Sequence, residues 1–129
     1  MAETLVTVRA HINSTESQEK LEKAMTNLFG ELQIKRVKIH GLPYLEAKAT
    51  GILALSQLRQ RIASDRIRDA CRVMLNRWAS KNEKVTFQLN RQAAYVNHVS
   101  IYHASKVPLG SIEVEIDGDP EEIVRFLCG

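Results

Sequence analysis

Leu5-Val6-Thr7-Val8-Arg9-Ala10-His11-Ile12 sets Val6, Val8, Ala10 and Ile12 on one side of the chain and Thr7, Arg9 and His11 on the other. Apolar residues at a period of two are the pattern of a strand that buries one face. Such a strand needs a covering layer, and the next residues supply one. Thr15 followed by Gln18 resembles a capping box, Leu21, Met25 and Leu28 recur at helical spacing, and Gly30 provides a stop.

Outward from this unit the alternation returns. From Leu32 to Ile39 the apolar phase shifts from Leu32 and Ile34 to Val37 and Ile39, which predicts a strand with a bulge near Lys35 and Arg36. Tyr44 to Thr50 alternates after a Gly41-Leu42-Pro43 turn, so these two strands pair as a hairpin. Ile52 to Ala79 reads as helix; Ser64 can cap a second segment, and both a kinked and a broken form stay open. Val85, Phe87 and Leu89 alternate next, Ala94 to Tyr102 reads as a strand after the polar connection Asn90-Arg91-Gln92, and Ile112 to Ile116 follows a Pro108-Leu109-Gly110 turn. Asp119 caps a closing helix through Leu127, with Pro120 first and Glu122 three residues on. The order βαββα(α)βββα predicts an α+β two-layer sandwich, a mostly antiparallel sheet covered by helices, and 129 residues fit a single domain, 1–129.

Charge is distributed unevenly. Residues 57 to 91 hold nine basic and three acidic residues, a local balance of +6, whereas residues 111 to 129 carry −5 within a chain of net charge +3. At 100° per residue, Ile67, Ala70, Cys71, Met74 and Trp78 share the face a helix would bury. Arg68 and Arg72 fall opposite, and Arg61 joins them if the helix is continuous through Ser64. Arg66 and Arg77 lie on the flanks, where their stems can cover apolar surface. Pairing of Asp65 with Arg61 and Arg68, and of Asp69 with Arg72, is what a merely solvated face would show. The excess of base and the use of arginine lower that reading, and if the second cluster at Lys35, Arg36 and Lys38 shares the same surface, phosphate binding becomes the better explanation. Asn90, Arg91 and Gln92 offer amide and guanidinium groups to base edges, 2′-hydroxyls or phosphate; a hairpin whose amides satisfy its own backbone is the competing reading.

Other chemistry finds little footing. His11, His40, His98 and His103 are scattered, and the acidic residues from Glu113 to Glu122 are accounted for by strand alternation and helix capping, so no metal is expected. The six glycines are dispersed and no Ser, Cys or His arrangement suggests a nucleophile, so neither a cofactor nor catalysis is expected. An aromatic content of 5% argues against stacked single strands; Tyr44, Tyr95 and Tyr102 could stack one or two bases, with core or rim packing the favoured reading. Cys71 and Cys128 have no CxxC spacing and follow no leader-like segment, which points to a reducing cytoplasm. No apolar run approaches the roughly 18 residues of a membrane span.

Leu89-Asn90-Arg91-Gln92-Ala93-Ala94 is similar to the LN(K/R)QAA segment of an uncharacterised family of small archaeal proteins described as RNA-binding. The stretch Arg66 to Arg72 resembles that family's RIxDxxR segment, Pro108 to Ile116 its PLGxIxVEI strand, and Asp119 to Glu122 its DPEE helix, with Ser14-Thr15-Glu16 a looser match. The resemblance implies a fold like that of the ribosomal protein that contacts the smallest RNA of the large subunit, together with RNA binding. Arg68 stands where the family often has an apolar residue, and the loop from His103 to Val107 is distinctive. The expectation is a protein that grips phosphates and duplex shape of structured RNA through Arg61, Arg68, Arg72 and Arg91 with little sequence selectivity, extended by Asn90, Gln92, Lys35, Arg36 and Lys38. The alternative is a protein interaction module in which the +6 region of one copy meets the −5 region of another, as a homodimer or within a ribonucleoprotein assembly.

Overall fold

In the computed structural model, which describes residues 3–15, 17–80, 84–102 and 111–129 with the side chains of 78–80 excepted, the opening alternation becomes β1 (Leu5–His11). It is followed by α1 (Gln18–Phe29), β2 (Ile34–Ile39), β3 (Leu42–Thr50), a 3-10 turn (Ile52–Leu55), α2 (Ser56–Ser64) and α3 (Arg68–Trp78). The second half supplies β4 (Ala79–Ser80), β5 (Lys84–Asn90), α4 (Arg91–Tyr95), β6 (Ile101–Tyr102), β7 (Ser111–Asp117) and α5 (Pro120–Cys128). The strands form one sheet in the order β2-β3-β1-β7-β5-β4, with β6 beside β5, and the described pairings are antiparallel.

Register decides which face is dry. Val6 and Val8 stand opposite Ile116 and Val114, which stand in turn opposite Val85 and Phe87, so one face of the central strands is continuously apolar. Helices cover that face through Leu21, Met25 and Leu28 of α1, Leu58 and Ile62 of α2, Cys71 and Leu75 of α3, and Ile123 and Leu127 of α5. This is the two-layer α+β arrangement that the pattern of elements predicts. Asp119 caps α5 as read, its Oδ1 accepting from the Glu121 N–H at 3.1 Å with Pro120 in the first turn.

Several local readings are corrected. Helix α1 is capped by Ser17, whose Oγ accepts from the Lys20 N–H, rather than by Thr15. Strand β2 has no bulge: its pairs run without interruption from Ile34↔Ala47 to Ile39↔Leu42. The phase shift there has another cause, since β2 is an edge strand on which Ile34, Val37 and Ile39 are all half-buried. His40 and Gly41, with φ of 53° and 80°, make the hairpin turn, and Leu42 and Pro43 already belong to β3. The stretch read as a strand from Ala94 to Tyr102 begins as the helix α4, and only Ile101 and Tyr102 pair with β5. On α3, Ala70 is exposed where the projection buries it, and Leu75, which the projection does not name, is buried. The Pro108-Leu109-Gly110 turn and the loop from His103 to Val107 lie outside the described residues.

Candidate nucleic-acid interface

Helix α2 does not continue through Ser64; that residue closes it. The Ile67 N–H donates to the Ile62 carbonyl at 3.2 Å and the Arg66 N–H to the Ala63 carbonyl at 3.1 Å, while Arg66 takes φ of 57°. A six-to-one bond enclosing a five-to-two bond, with a left-handed residue between, is a Schellman stop. Glycine usually occupies that left-handed position, where an L side chain costs about 1 kcal/mol. Asp65, just before it, fixes the turn in space. Its Oδ2 accepts from the Val99 N–H at 2.7 Å and its Oδ1 lies 3.1 Å from Nδ1 of His98. Burial pushes the Asp65 carboxyl up, but the Val99 N–H, the His98 ring and the Arg61 charge outweigh that and hold it below the ordinary carboxylate range.

Beyond the break α3 begins at Arg68, and a cleft lies between α2, α3 and the end of α5. Two adjoining concavities share Ala63, Arg68 and Gly129. One adds Arg59 and Gln60 of α2; the other adds Arg66, Asp69 and Arg72. Four guanidinium groups therefore line the cleft, and Asp69 is the one acidic side chain among its described lining residues. Arg59, Arg66, Arg68 and Arg72 are all exposed. Two of them are held: Arg59 sits over the Phe126 ring with Cζ 5.2 Å from its centroid, and Arg72 donates to the Cys128 carbonyl at 2.7 Å and pairs with Asp69 at 3.2 Å. Carbonyls at the end of α5 carry the negative pole of the helix, so part of this basicity serves the fold.

The sequence-predicted residues fare unequally. Arg68 and Arg72 come together in the cleft. Arg61 does not join them, because the helix breaks; it is half-buried beside Asp65. Arg91 is corrected outright: it is 1% exposed and donates from Nη2 to the Ser111 carbonyl at 2.7 Å, so no phosphate can reach it. Asn90 is the N-cap of α4, its Oδ1 accepting from the Ala93 N–H at 3.0 Å. Gln92 is exposed and borders a separate groove with Lys20, Lys23, Asn27 and Tyr95. Lys35, Arg36 and Lys38 are exposed on β2, at the opposite end of the sheet from β4, into which α3 runs directly. Alternation turns Lys35 to one face and Arg36 and Lys38 to the other, and Arg36 donates to Oε1 of Gln18 at 3.1 Å.

Arg59 and Arg66 are the cleft residues that helical projection passes over. Arg59 lies on α2 and can be related to Arg68 only once the break is known. For Arg66 a signal existed, since Ser64-Asp65-Arg66 interrupts the apolar spacing between Ile62 and Ile67.

The acidic C-terminal segment is not one patch. Glu115 and Asp117 lie on the sheet face away from the helices, within 3.2 and 3.7 Å of Lys84, whereas Glu121 sits on α5 and pairs with Arg125 at 3.3 Å. That open sheet face also carries Arg9 bound to Glu46 at 2.6 Å, so its charges are largely matched. Among the described residues no group of three or more His, Cys, Asp or Glu side chains is placed to hold a metal, and no helix is long and apolar enough to cross a membrane.

Fold and cleft describe a small two-layer protein with a concave basic surface on its helical layer. Residues 5–117 match the sequence model of a family described as RNA binding. The UPF0201 protein of Pyrobaculum aerophilum is 35% identical over 119 residues, covering 91% of this chain and 83% of that one, and the UPF0201 protein of Thermococcus kodakarensis is 32% identical over 124 residues, covering 95% and 88%. Among solved structures, the UPF0201 protein from Methanococcus jannaschii superposes with a TM-score of 0.81 at 26% identity, covering 97% of this chain and 99% of that one. A DUF54 protein from Methanothermobacter thermautotrophicus, at 16% identity and a TM-score of 0.68 over 98% of this chain and 99% of its own, shares the fold. The chain belongs to this archaeal UPF0201 family, whose sequence model is described as RNA binding.

Proposed function

We propose that the protein binds structured RNA by its phosphate backbone, in the cleft formed by Arg59, Arg66, Arg68 and Arg72. One observation carries the reading: four exposed arginines, Arg59 on α2, Arg66 on the turn after it and Arg68 and Arg72 on α3, line two adjoining concavities in which Asp69 is the one acidic side chain among the described lining residues. Guanidinium groups pair with phosphate oxygens in bidentate fashion, and release of condensed counterions favours the contact. A concave basic surface fits a ridge of backbone, and its low-dielectric walls strengthen the field above it. Among the described residues no ring lines the cleft as a stacking platform, and the nearby Phe126 lies beneath Arg59. The cleft accordingly reads charge and shape with little preference for sequence.

The test uses a fluorescent RNA hairpin of arbitrary sequence and the double reversal Arg59→Glu with Arg68→Glu. Neither residue is buried, so the fold should persist in circular dichroism and thermal melting. Affinity at roughly 0.1 M salt should fall at least about tenfold. Unchanged affinity in a folded variant contradicts the proposal.

A further inference from the structure

Helices α1 and α4 pack side by side, with Ala24 and Ala94 fully buried and Asn27 Nδ2 donating to the Ala94 carbonyl at 3.0 Å. A side chain as small as that of Ala24 leaves space beside the contact. A groove of about 400 Å³, the size of a small-ligand site, lies there. Its walls come from both helices: Lys20, Lys23 and Asn27 recur at helical spacing along one face of α1, and Gln92 and Tyr95, three apart, stand on α4.

Lys20 and Lys23 are exposed and make no ion pair among the described residues, whereas Arg9, Lys84 and Arg125 are matched by carboxylates. No carboxylate is among the described lining residues, although Glu19 and Glu22 lie on the same helix. Two unmatched ammonium groups attract a phosphate. Across from them stands the half-buried Tyr95, and an aromatic wall supports a base of any identity by stacking. The bond to the Ala94 carbonyl fixes the Asn27 amide, while the exposed Gln92 side chain makes no hydrogen bond among the described residues. Amides both donate and accept, as the edge of an unpaired base requires. A merely solvated helix face accounts for the lysines but not for a ring and two amides beside them. We infer that the α1–α4 groove takes one unpaired nucleotide, its base against Tyr95 and the amides of Asn27 and Gln92, its phosphate on Lys20 and Lys23. The ligand class follows from the RNA reading above, while the residues are ones the arginine cleft does not share.

The test compares a blunt RNA duplex with the same duplex carrying one bulged uridine. Wild type should bind the bulged form at least about fivefold more tightly. Tyr95→Leu, and separately Lys20→Gln with Lys23→Gln and Gln92→Ala, should bring that ratio close to one and leave affinity for the blunt duplex nearly as it was. The second variant changes exposed residues alone, so it decides if Tyr95→Leu does not fold. A 4-thiouridine at the bulge should cross-link to the peptide that holds Gln92 and Tyr95. Competition with uridine monophosphate separates the two sources of this chemistry: loss of the preference at submillimolar nucleotide assigns the groove to free nucleotide, and persistence assigns it to RNA, both upholding nucleotide recognition. Blunt and bulged duplexes bound equally would overturn the groove and spare the cleft; tight binding of the bulged form with none of the blunt form would do the reverse. A preference that survives in the folded groove variants, or cross-links confined to α2 and α3, would also overturn it.

Discussion

Arg72 reaches from α3 to the end of α5, donating from Nη2 to the Cys128 carbonyl oxygen at 2.7 Å while its Nη1 lies 3.2 Å from Oδ1 of Asp69. An arginine committed in this way is part of the scaffold as well as of the cleft. Arg72→Ala is expected to cost about 1–2 kcal/mol, measured by urea unfolding, because a charge-assisted bond to a helix-end carbonyl is lost. Arg72→Lys keeps the charge without the planar fork, so it should restore RNA affinity more fully than stability.

Arg66 separates function from folding. Its left-handed backbone, φ of 57°, is one glycine adopts without strain. Arg66→Gly should leave stability between unchanged and about 1 kcal/mol higher, while RNA binding weakens by several fold. Loss of stability would mean that the Arg66 stem packs more tightly than its exposure indicates.

Asp65 links the helix break to residues 98 and 99, and its carboxyl is held below its ordinary value. A group whose folded pKa is depressed stabilises above its unfolded pKa, near 3.9, and that contribution is lost as pH falls through the folded pKa. Asp65→Ala should cost roughly 2 kcal/mol at pH 7 through the abandoned Val99 N–H. The gap between wild type and variant should narrow below about pH 4, measured by thermal melting across pH 3 to 7.

Arg91 marks the sharpest departure from the sequence expectation. At 1% exposure with its guanidinium on the Ser111 carbonyl, it belongs to the core. Arg91→Met should destabilise the fold by about 2–3 kcal/mol, and the fraction that remains folded should bind RNA as wild type does. A selective loss of affinity without loss of stability would reinstate Arg91 as a contact.

The strands and their dry face were legible because alternation is local: Val6, Val8, Phe87 and Leu89 need no distant information to be placed. Asp119 and Pro120 announced α5 for the same reason. The site was less legible because it depends on one backbone turn. A Schellman stop without glycine leaves no strong mark, and a helix drawn through Ser64 aligns Arg61 with Arg68 and sends Arg59 elsewhere. Arg91 misled for a related reason. Asn90 caps a helix where alternation suggested a hairpin, and the helix carries the guanidinium inward.

The salt dependence of RNA affinity tests the central claim most directly, with wild type compared against the triple variant Arg59→Gln, Arg66→Gly, Arg68→Gln. The slope of log affinity against log salt should become shallower by about 2 to 3 in the triple variant, close to one per phosphate contact removed. Lys35→Gln with Arg36→Gln and Lys38→Gln, at the far edge of the sheet, should leave the slope nearly as it was. Parallel lines for wild type and the cleft variant, or a slope lost only in the β2 variant, would contradict the assignment of RNA to the arginine cleft.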